Sequence, residues 1–285
     1  MARRTLEGKV AIVTGAGSPI GIGHAITLGL VRAGVRVALT DIDQGWLDLT
    51  INEVREIGGD DCAIDIVSDV TDPDSCQEAV ETTIAQLGGL HILVNNAGTN
   101  PRAAGLGTAS GANPSNFWEN SPEAWSRVVA VNLSGPFLMA RAAVGHLINQ
   151  GWGRIIGVTT SMDTMWRKGG SPYGPSKAGH EALVAIMAQE LEGTGVTANV
   201  LVPGGSTYTN LTHSGDPNQK NELIQPEVMQ GPVGWLASDA SDQFNGQRII
   251  AYYWDDNLAL PERLERCSAP AAWPQLGRHA VHPNQ

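Results

Sequence analysis

Tyr173 and Lys177 stand four residues apart in "SPYGPSKAG", with a Thr159-Thr160-Ser161 run upstream of them. On a helix, i and i+4 side chains project from one face. A free phenol titrates near about 10, too high to take a proton from an alcohol at neutral pH, and a neighbouring ammonium favours the phenolate. Such a pair can serve as general base in alcohol oxidation or general acid in carbonyl reduction, with Tyr173 exchanging the proton. Taken alone, Tyr-x-x-x-Lys is also ordinary helical spacing, so its meaning depends on the rest of the chain.

A second candidate lies near the N-terminus, in "TGAGSPIGIG" at residues 14–23. Gly15, Gly17, Gly21 and Gly23 allow a tight turn, and Ile22 opens a helix whose N-terminal N–H groups suit a pyrophosphate. The spacing is not the simple G-x-G-x-x-G, because Ile20 sits where the third glycine would be. The next strand ends at Asp41, where a carboxylate can accept hydrogen bonds from an adenosine ribose diol. The same carboxylate repels a 2′-phosphate, so NAD is expected over NADP. Asp43 is an alternative two residues on.

The elements that would position these residues alternate. "KVAIVT", "RVALTDI", "CAIDIV", "ILVNNA", "RIIGVTT", "VTANVLV" and "QRIIAYYW" read as strands, several of them apolar without alternation. Helix-compatible segments fall near 22–33, 44–57, 73–87, 121–150, 172–193 and 226–238. This rhythm predicts an α/β fold, a single Rossmann-like doubly wound parallel sheet of about seven strands with helices on both faces. One catalytic domain is expected over residues 1–257, followed by a C-terminal tail over 258–285. Residues 99–118 and 209–231 are Gly-, Pro- and Asn-rich and read as long loops.

Composition narrows the partners. A formal charge of -11 argues against nucleic acid and anionic membranes. No apolar run approaches the roughly 18 residues of a membrane span. Arg3-Arg4 is not followed by an apolar stretch, so no export signal is read there. Cys62, Cys76 and Cys267 are odd in number and show no metal-ligand spacing. They point to a reducing compartment, the cytoplasm, and no metal is expected.

Taken together, Thr14-Gly15…Gly21-x-Gly23, Asp69-Val70, Asn95-Asn96-Ala97-Gly98, Asn132, Tyr173-x-x-x-Lys177 and Pro203-Gly204 occur in an order that resembles the short-chain dehydrogenase/reductase family. The resemblance covers roughly residues 5 to 254. It implies that Asp69 and Val70 contact the adenine and that Asn96, Ala97 and Gly98 support the cofactor site. It further implies that Lys177 holds the nicotinamide ribose, and that Asn132 bends its helix and holds a water in a proton relay. Pro203 and Gly204 would lie beside the nicotinamide carboxamide, with Thr207 or Thr209 continuing that contact. The family places a serine thirteen residues before the tyrosine to bind the substrate oxygen. Here that position is Thr160, while Ser161 has the expected type one step out. Adjacent strand residues face opposite ways, so one of the two is expected to face Tyr173.

The resemblance implies a small-molecule alcohol or ketone as substrate and a homo-oligomer, commonly a tetramer or a dimer. Loop residues Trp118, Met162, Met165, Trp166 and Tyr208, with Asp163, Arg167 and Lys168, are expected around a neutral sugar, polyol or cyclic alcohol. Three departures from the family stand out: a glycine turn two residues longer, an enlarged loop before Asn132, and "IIAYYWDD" in place of a Gly-containing last strand. Two other readings keep the same motifs, a nucleotide-sensing regulator without turnover and an isomerase using transient oxidation.

Overall fold

A computed structural model describes residues 6–109, 111–212 and 219–274 of the chain. Its centre is one eight-stranded sheet in the order β3-β2-β1-β4-β5-β6-β7-β8. The strands are β1 (Val10–Thr14), β2 (Arg36–Asp41), β3 (Ala63–Val67), β4 (Ile92–Asn95), β5 (Gly153–Val158), β6 (Val196–Val202), β7 (Gln247–Ile250) and β8 (Ser268–Pro270). The first seven run parallel, and β8 lies antiparallel against β7, with Arg248 opposite Ala269. In β1, β4, β5 and β6 every residue is buried. That is what helices on both faces require, and it explains the missing alternation in the sequence.

Helices α1 (Ile22–Arg32), α2 (Gln44–Gly58) and α9 (Gln230–Leu236) cover one face. Ile26, Leu30, Leu47, Ile51 and Leu236 are among the side chains they bury there. Helices α3 (Pro73–Leu87), α5 (Gly135–Asn149) and α7 (Tyr173–Glu190) cover the other, through Val80, Met139, Leu147 and Val184. Their starts are written locally. Asp72 accepts from the Asp74 N–H with Pro73 in the first turn of α3. Ser121 accepts from the Ala124 N–H with Pro122 in the first turn of α4 (Pro122–Val129). The continuous helical run Pro122–Asn149 is long and apolar enough to cross a membrane. In this fold it buries Val128, Met139, Ala143 and Leu147 in the core, as a central helix of an α/β protein does.

The count of about seven strands is corrected to eight. The eighth comes from the segment read as a tail, where α10 (Leu260–Cys267) turns the chain back so that β8 can pair with β7. Three residues ending in proline carry no periodic signal, so only the pairing partner reveals them as a strand. The short helices α6 (Met162–Trp166) and α8 (Gln219–Glu222) belong to loops above the sheet. Residues 213–218 of the second long loop and 275–285 of the tail lie outside the described residues.

The order of the sheet fixes the place of the site. β1 has β2 on one side and β4 on the other, so the crossovers reverse direction there and leave a crevice at the strands' carboxyl ends. Most of the candidate segments begin within a few residues of such an end.

Candidate active site

At the nucleotide end, the turn after β1 is sewn to the turn after β4. Thr14 Oγ1 accepts the N–H groups of Asn96 and Ala97, both at 3.0 Å. Asn96 Nδ2 donates to the carbonyls of Thr14 and Gly15 at 2.8 and 3.0 Å. Gly15 has φ 64, and a Cβ there would lie 2.8 Å from Ala97 Cα. A Cβ at Gly23 would overlap the Gly15 carbonyl. Both positions therefore need glycine because two backbones meet there. Helix α1 starts after Gly21 with no side-chain cap and no acidic residue in its first turn. Its N–H groups are thus left for an anion.

Asp41 is held at the mouth of this turn. Its Oδ2 accepts the Gly17 N–H at 3.0 Å, and its Oδ1 accepts those of Ile42 and Asp43 at 2.8 and 3.3 Å. Burial pushes its carboxyl above the usual range, and these N–H groups oppose the shift. Asp43 is occupied differently, capping α2 through the Trp46 N–H at 2.9 Å. Asp69 accepts from the Thr71 N–H and hydroxyl at 2.8 and 2.7 Å and lies 3.8 Å from Arg127. Burial works against its charge, but the Thr71 donors and Arg127 leave the carboxyl below its ordinary value. Val70 is buried and packs so closely on the start of α5 that a Cβ at Gly135 would lie 2.8 Å from it.

At the chemical end, Tyr173 and Lys177 occupy the first turns of α7, as the spacing predicts. Thr160 and Tyr173 both line the cleft, and the Thr160 side chain is near enough to favour the phenolate. Ser161 is turned away, its Oγ 2.8 Å from Thr164 Oγ1 at the start of α6. The third hydroxyl, Thr159, points into the core. Lys177 is buried, and its Nζ donates to the Val158 carbonyl at 2.8 Å. Burial pushes Lys177 down to about 8 and Tyr173 up to about 12. The expected lowering of the phenol by Lys177 is therefore corrected. Desolvation of the phenolate outweighs its neighbours, and the groups that oppose it are Thr160 and Arg167.

Asn132 sits in a π-helical turn, Ala130–Ser134, between α4 and α5. Such wide turns often mark functional positions. Its Oδ1 accepts the Thr99 N–H at 2.7 Å, and its Nδ2 donates to Thr99 O and Ser176 Oγ at 2.9 and 3.0 Å. It thereby ties the loop after β4 to the residue beside Lys177. Gly98 closes the same corner, where a Cβ would come 3.3 Å from Lys177 Nζ. Pro203 lines the cleft, while Gly204 (φ 116) turns the chain against Tyr252. Thr207 and Thr209 both line the cleft.

The sequence model described as short chain dehydrogenase matches residues 9–220. The chain belongs to the short-chain dehydrogenase family. The chain is 32% identical over 251 residues to the 2,5-dichloro-2,5-cyclohexadiene-1,4-diol dehydrogenase of Sphingobium indicum, covering 88% of this chain and 91% of that one. It is likewise 32% identical to the D-threitol dehydrogenase of Mycolicibacterium smegmatis, over 86% of this chain and 92% of the relative. A crystal structure of a short-chain type dehydrogenase/reductase from Mycobacterium marinum superposes with a TM-score of 0.74 at 28% identity, covering 87% and 95% of the two chains.

Beneath the cleft lies a pair absent from the sequence reading. Glu181, wholly buried, faces Arg248 of β7 at 3.2 Å. Thr159 Oγ1 donates to Glu181 Oε2 at 3.0 Å, and an Arg248 N–H donates to the Thr160 carbonyl at 3.0 Å. The Ala272 N–H, just past β8, reaches Glu181 Oε1 at 3.4 Å. Burial pushes the Glu181 carboxyl up, opposed by Arg248 and Thr159. A signal was available: Tyr173, Lys177 and Glu181 recur every four residues along one helix face.

The cavity has a volume of about 1100 Å³ and runs from Asp41 to Tyr173. Residues of the 99–118 and 209–231 loops and of the 161–172 stretch before α7 border it, but most of the side chains expected around the substrate do not. Trp118 and Trp166 are 70% and 65% exposed, and Met165 is buried in packing. Of that set, Arg167 lines the wall, beside Asn100, Thr164, Ser171 and Leu223. Short polar loops hold the wall together: Asn100 Nδ2 and an Arg102 N–H donate to the Leu211 carbonyl, and Asn210 Nδ2 donates to Ser18 Oγ at 2.8 Å. Ser18 belongs to the two-residue expansion of the glycine turn, so that expansion serves to fasten the wall.

Proposed function

We propose that this dehydrogenase interconverts a secondary alcohol and a ketone with NAD, Tyr173 exchanging the hydroxyl proton. The shared placement of Thr160 and Tyr173 carries the reading, because it puts a donor and an acid/base group on the wall of one cavity that also reaches Asp41. A dinucleotide fits the cradle. The Gly15–Gly23 turn and the N-terminus of α1 would hold the pyrophosphate, Asp41 the adenosine ribose hydroxyls, and Asp69 with Val70 the adenine. Lys177 would hold the nicotinamide ribose, with Asn96, Ala97, Gly98, Pro203 and Gly204 shaping that end. The nicotinamide, when bound, accepts or returns the hydride.

The protein's part is orientation and proton transfer. Thr160 donates to the substrate oxygen beside the Tyr173 phenol. In oxidation the carbinol C–H leaves as hydride while the O–H proton passes to Tyr173, giving the ketone; reduction reverses both transfers. Asn132 positions Lys177 through Ser176. The diol and polyol substrates in the relatives' names support a polyhydroxy or cyclic secondary alcohol here. Three buried cysteines, Cys62, Cys76 and Cys267, not joined to one another, support a reducing compartment, taken as the cytoplasm.

The test is NADH formation across sugars, polyols, cyclic alcohols and their acids, with NAD and NADP compared. Turnover should favour NAD, and Asp41→Ala should relax that preference. Tyr173→Phe should retain NAD binding and lose roughly a hundred- to ten-thousand-fold in kcat. Wild-type protein that binds NAD yet turns over nothing would move the reading to a nucleotide sensor.

A further inference from the structure

In a chain of formal charge -11, the carboxylates facing the cleft gather at one end of it, where Arg127 accompanies Asp69. Among the described residues the carboxylates that line it are Asp41, Asp43 and Asp69, which follow β2 and β3 at the adenosine end. Around Tyr173 the charged lining is Arg102, Arg167 and Lys177, with no carboxylate. Two of these three cations have work within the fold. Lys177 Nζ is on the Val158 carbonyl at 2.8 Å, and Arg102 donates to the Leu211 carbonyl at 2.6 Å.

Arg167 does not share that arrangement. It follows α6 on the loop that leads into Tyr173, exposed to the cleft, and its guanidinium makes no ion pair or hydrogen bond with another described residue. Asp163 is one turn back at pairing distance in sequence, yet the two are joined by the backbone, Arg167 N–H to Asp163 O at 2.9 Å. Arg167 is also close enough to Tyr173 for its charge to favour the phenolate. A guanidinium on a cavity wall with no acidic partner offers a planar fork of donors matched to a carboxylate. An anion entering this end meets no carboxylate of the described wall.

We infer that the alcohol substrate carries a carboxylate and that Arg167 binds it, so the substrate is a hydroxy acid and the product an oxo acid. This rests on the dehydrogenase reading and replaces the neutral alcohol expected from the sequence. The carboxylate is unchanged in the reaction: one hydride goes to NAD, one proton to Tyr173, and the carbinol becomes a carbonyl.

Matched pairs test it: gluconate against glucitol, and a hydroxycyclohexanecarboxylate against its amide. Wild type should show higher kcat/KM for the acid of a pair. Arg167→Gln should lower the acid-to-neutral ratio by roughly 10- to 100-fold, chiefly through KM, and Arg167→Lys should restore part of it. Independently of turnover, the acids should raise the melting temperature of the NADH-bound wild type, and this rise should vanish in Arg167→Gln. Equal use of both members of each pair, no thermal shift with the acids, or an unchanged ratio in Arg167→Gln would each overturn the inference while leaving the dehydrogenase reading intact. A thermal shift that depends on Arg167 without any NADH formation would sink the dehydrogenase reading and leave the carboxylate site standing.

Discussion

Two titratable groups on adjacent turns of α7 are moved in opposite directions by the same cause. Burial raises the Tyr173 phenol to about 12 and lowers the Lys177 ammonium to about 8, because desolvation disfavours the charged form of each. At neutral pH the phenol thus starts as an acid, and oxidation should accelerate as pH rises. Thr160 is one of the groups that lower the phenol, so Thr160→Val should push the ascending limb of the oxidation profile further alkaline and reduce kcat. Ser161→Ala should leave both near wild type, and a larger loss from Ser161→Ala would reverse the assignment. Lys177 gives a stability prediction. Its folded pKa lies below the unfolded value of about 10.5, so the unfolded chain binds more protons between about 8 and 10.5 and stability rises with pH across that window. The penalty of burying the ammonium, about 3 kcal/mol as an upper bound, is fully present below about pH 8. Lys177→Met should therefore melt at or above wild type at pH 7 without cofactor, and the difference should fade towards pH 10.5 in thermal denaturation scans.

At the scale of elements, three pieces far apart in sequence meet under Thr160. Helix α7 supplies Glu181, β7 supplies Arg248, and the segment after β8 supplies the Ala272 N–H. Together they grip Thr159 by its hydroxyl and Thr160 by its carbonyl, which turns the Thr160 side chain to the cleft. Removing one member of a buried ion pair strands the other, so Glu181→Leu or Arg248→Met alone should cost roughly 3–5 kcal/mol in chemical denaturation. The double variant should recover much of that stability, because neither charge remains buried. Its kcat should nevertheless stay low, since both anchors of the Thr159-Thr160 pair are gone. A double variant with wild-type kcat would show that the pair only stabilises the fold.

For the whole molecule, the face made by α4, α5 and α7 leaves large apolar side chains in water. Trp125, Phe137, Ile148 and Ile186 are 46%, 48%, 40% and 50% exposed. Apolar side chains exposed on one set of helices favour association, in line with the homo-oligomer that the family resemblance implies. The protein should sediment as a dimer or tetramer at micromolar concentration. Phe137→Glu combined with Ile186→Glu should shift it to a smaller species of unchanged helical content. Monomeric wild type would refute this.

Local chemistry was legible wherever it is written in adjacent residues. The strand–helix alternation, the glycine turn, the end of β2 at Asp41 and the i, i+4 pair at Tyr173 each need only a short window, because helix and strand periodicity are short-range properties. Tertiary structure decided what depends on residues distant in sequence. Spacing pointed to Thr160 and residue type to Ser161, and the sequence held nothing to weigh one against the other, since their orientation is set by Arg248, 88 positions beyond Thr160, and by a Glu181 carboxylate anchoring the preceding threonine. The eighth strand, with no periodicity of its own, exists because β7 offers an open edge. The sign of the cleft around Tyr173 was equally hidden. Composition reports the net charge of -11, but which charges face the cleft follows from how the loops after β3, β4 and β5 fold over the sheet.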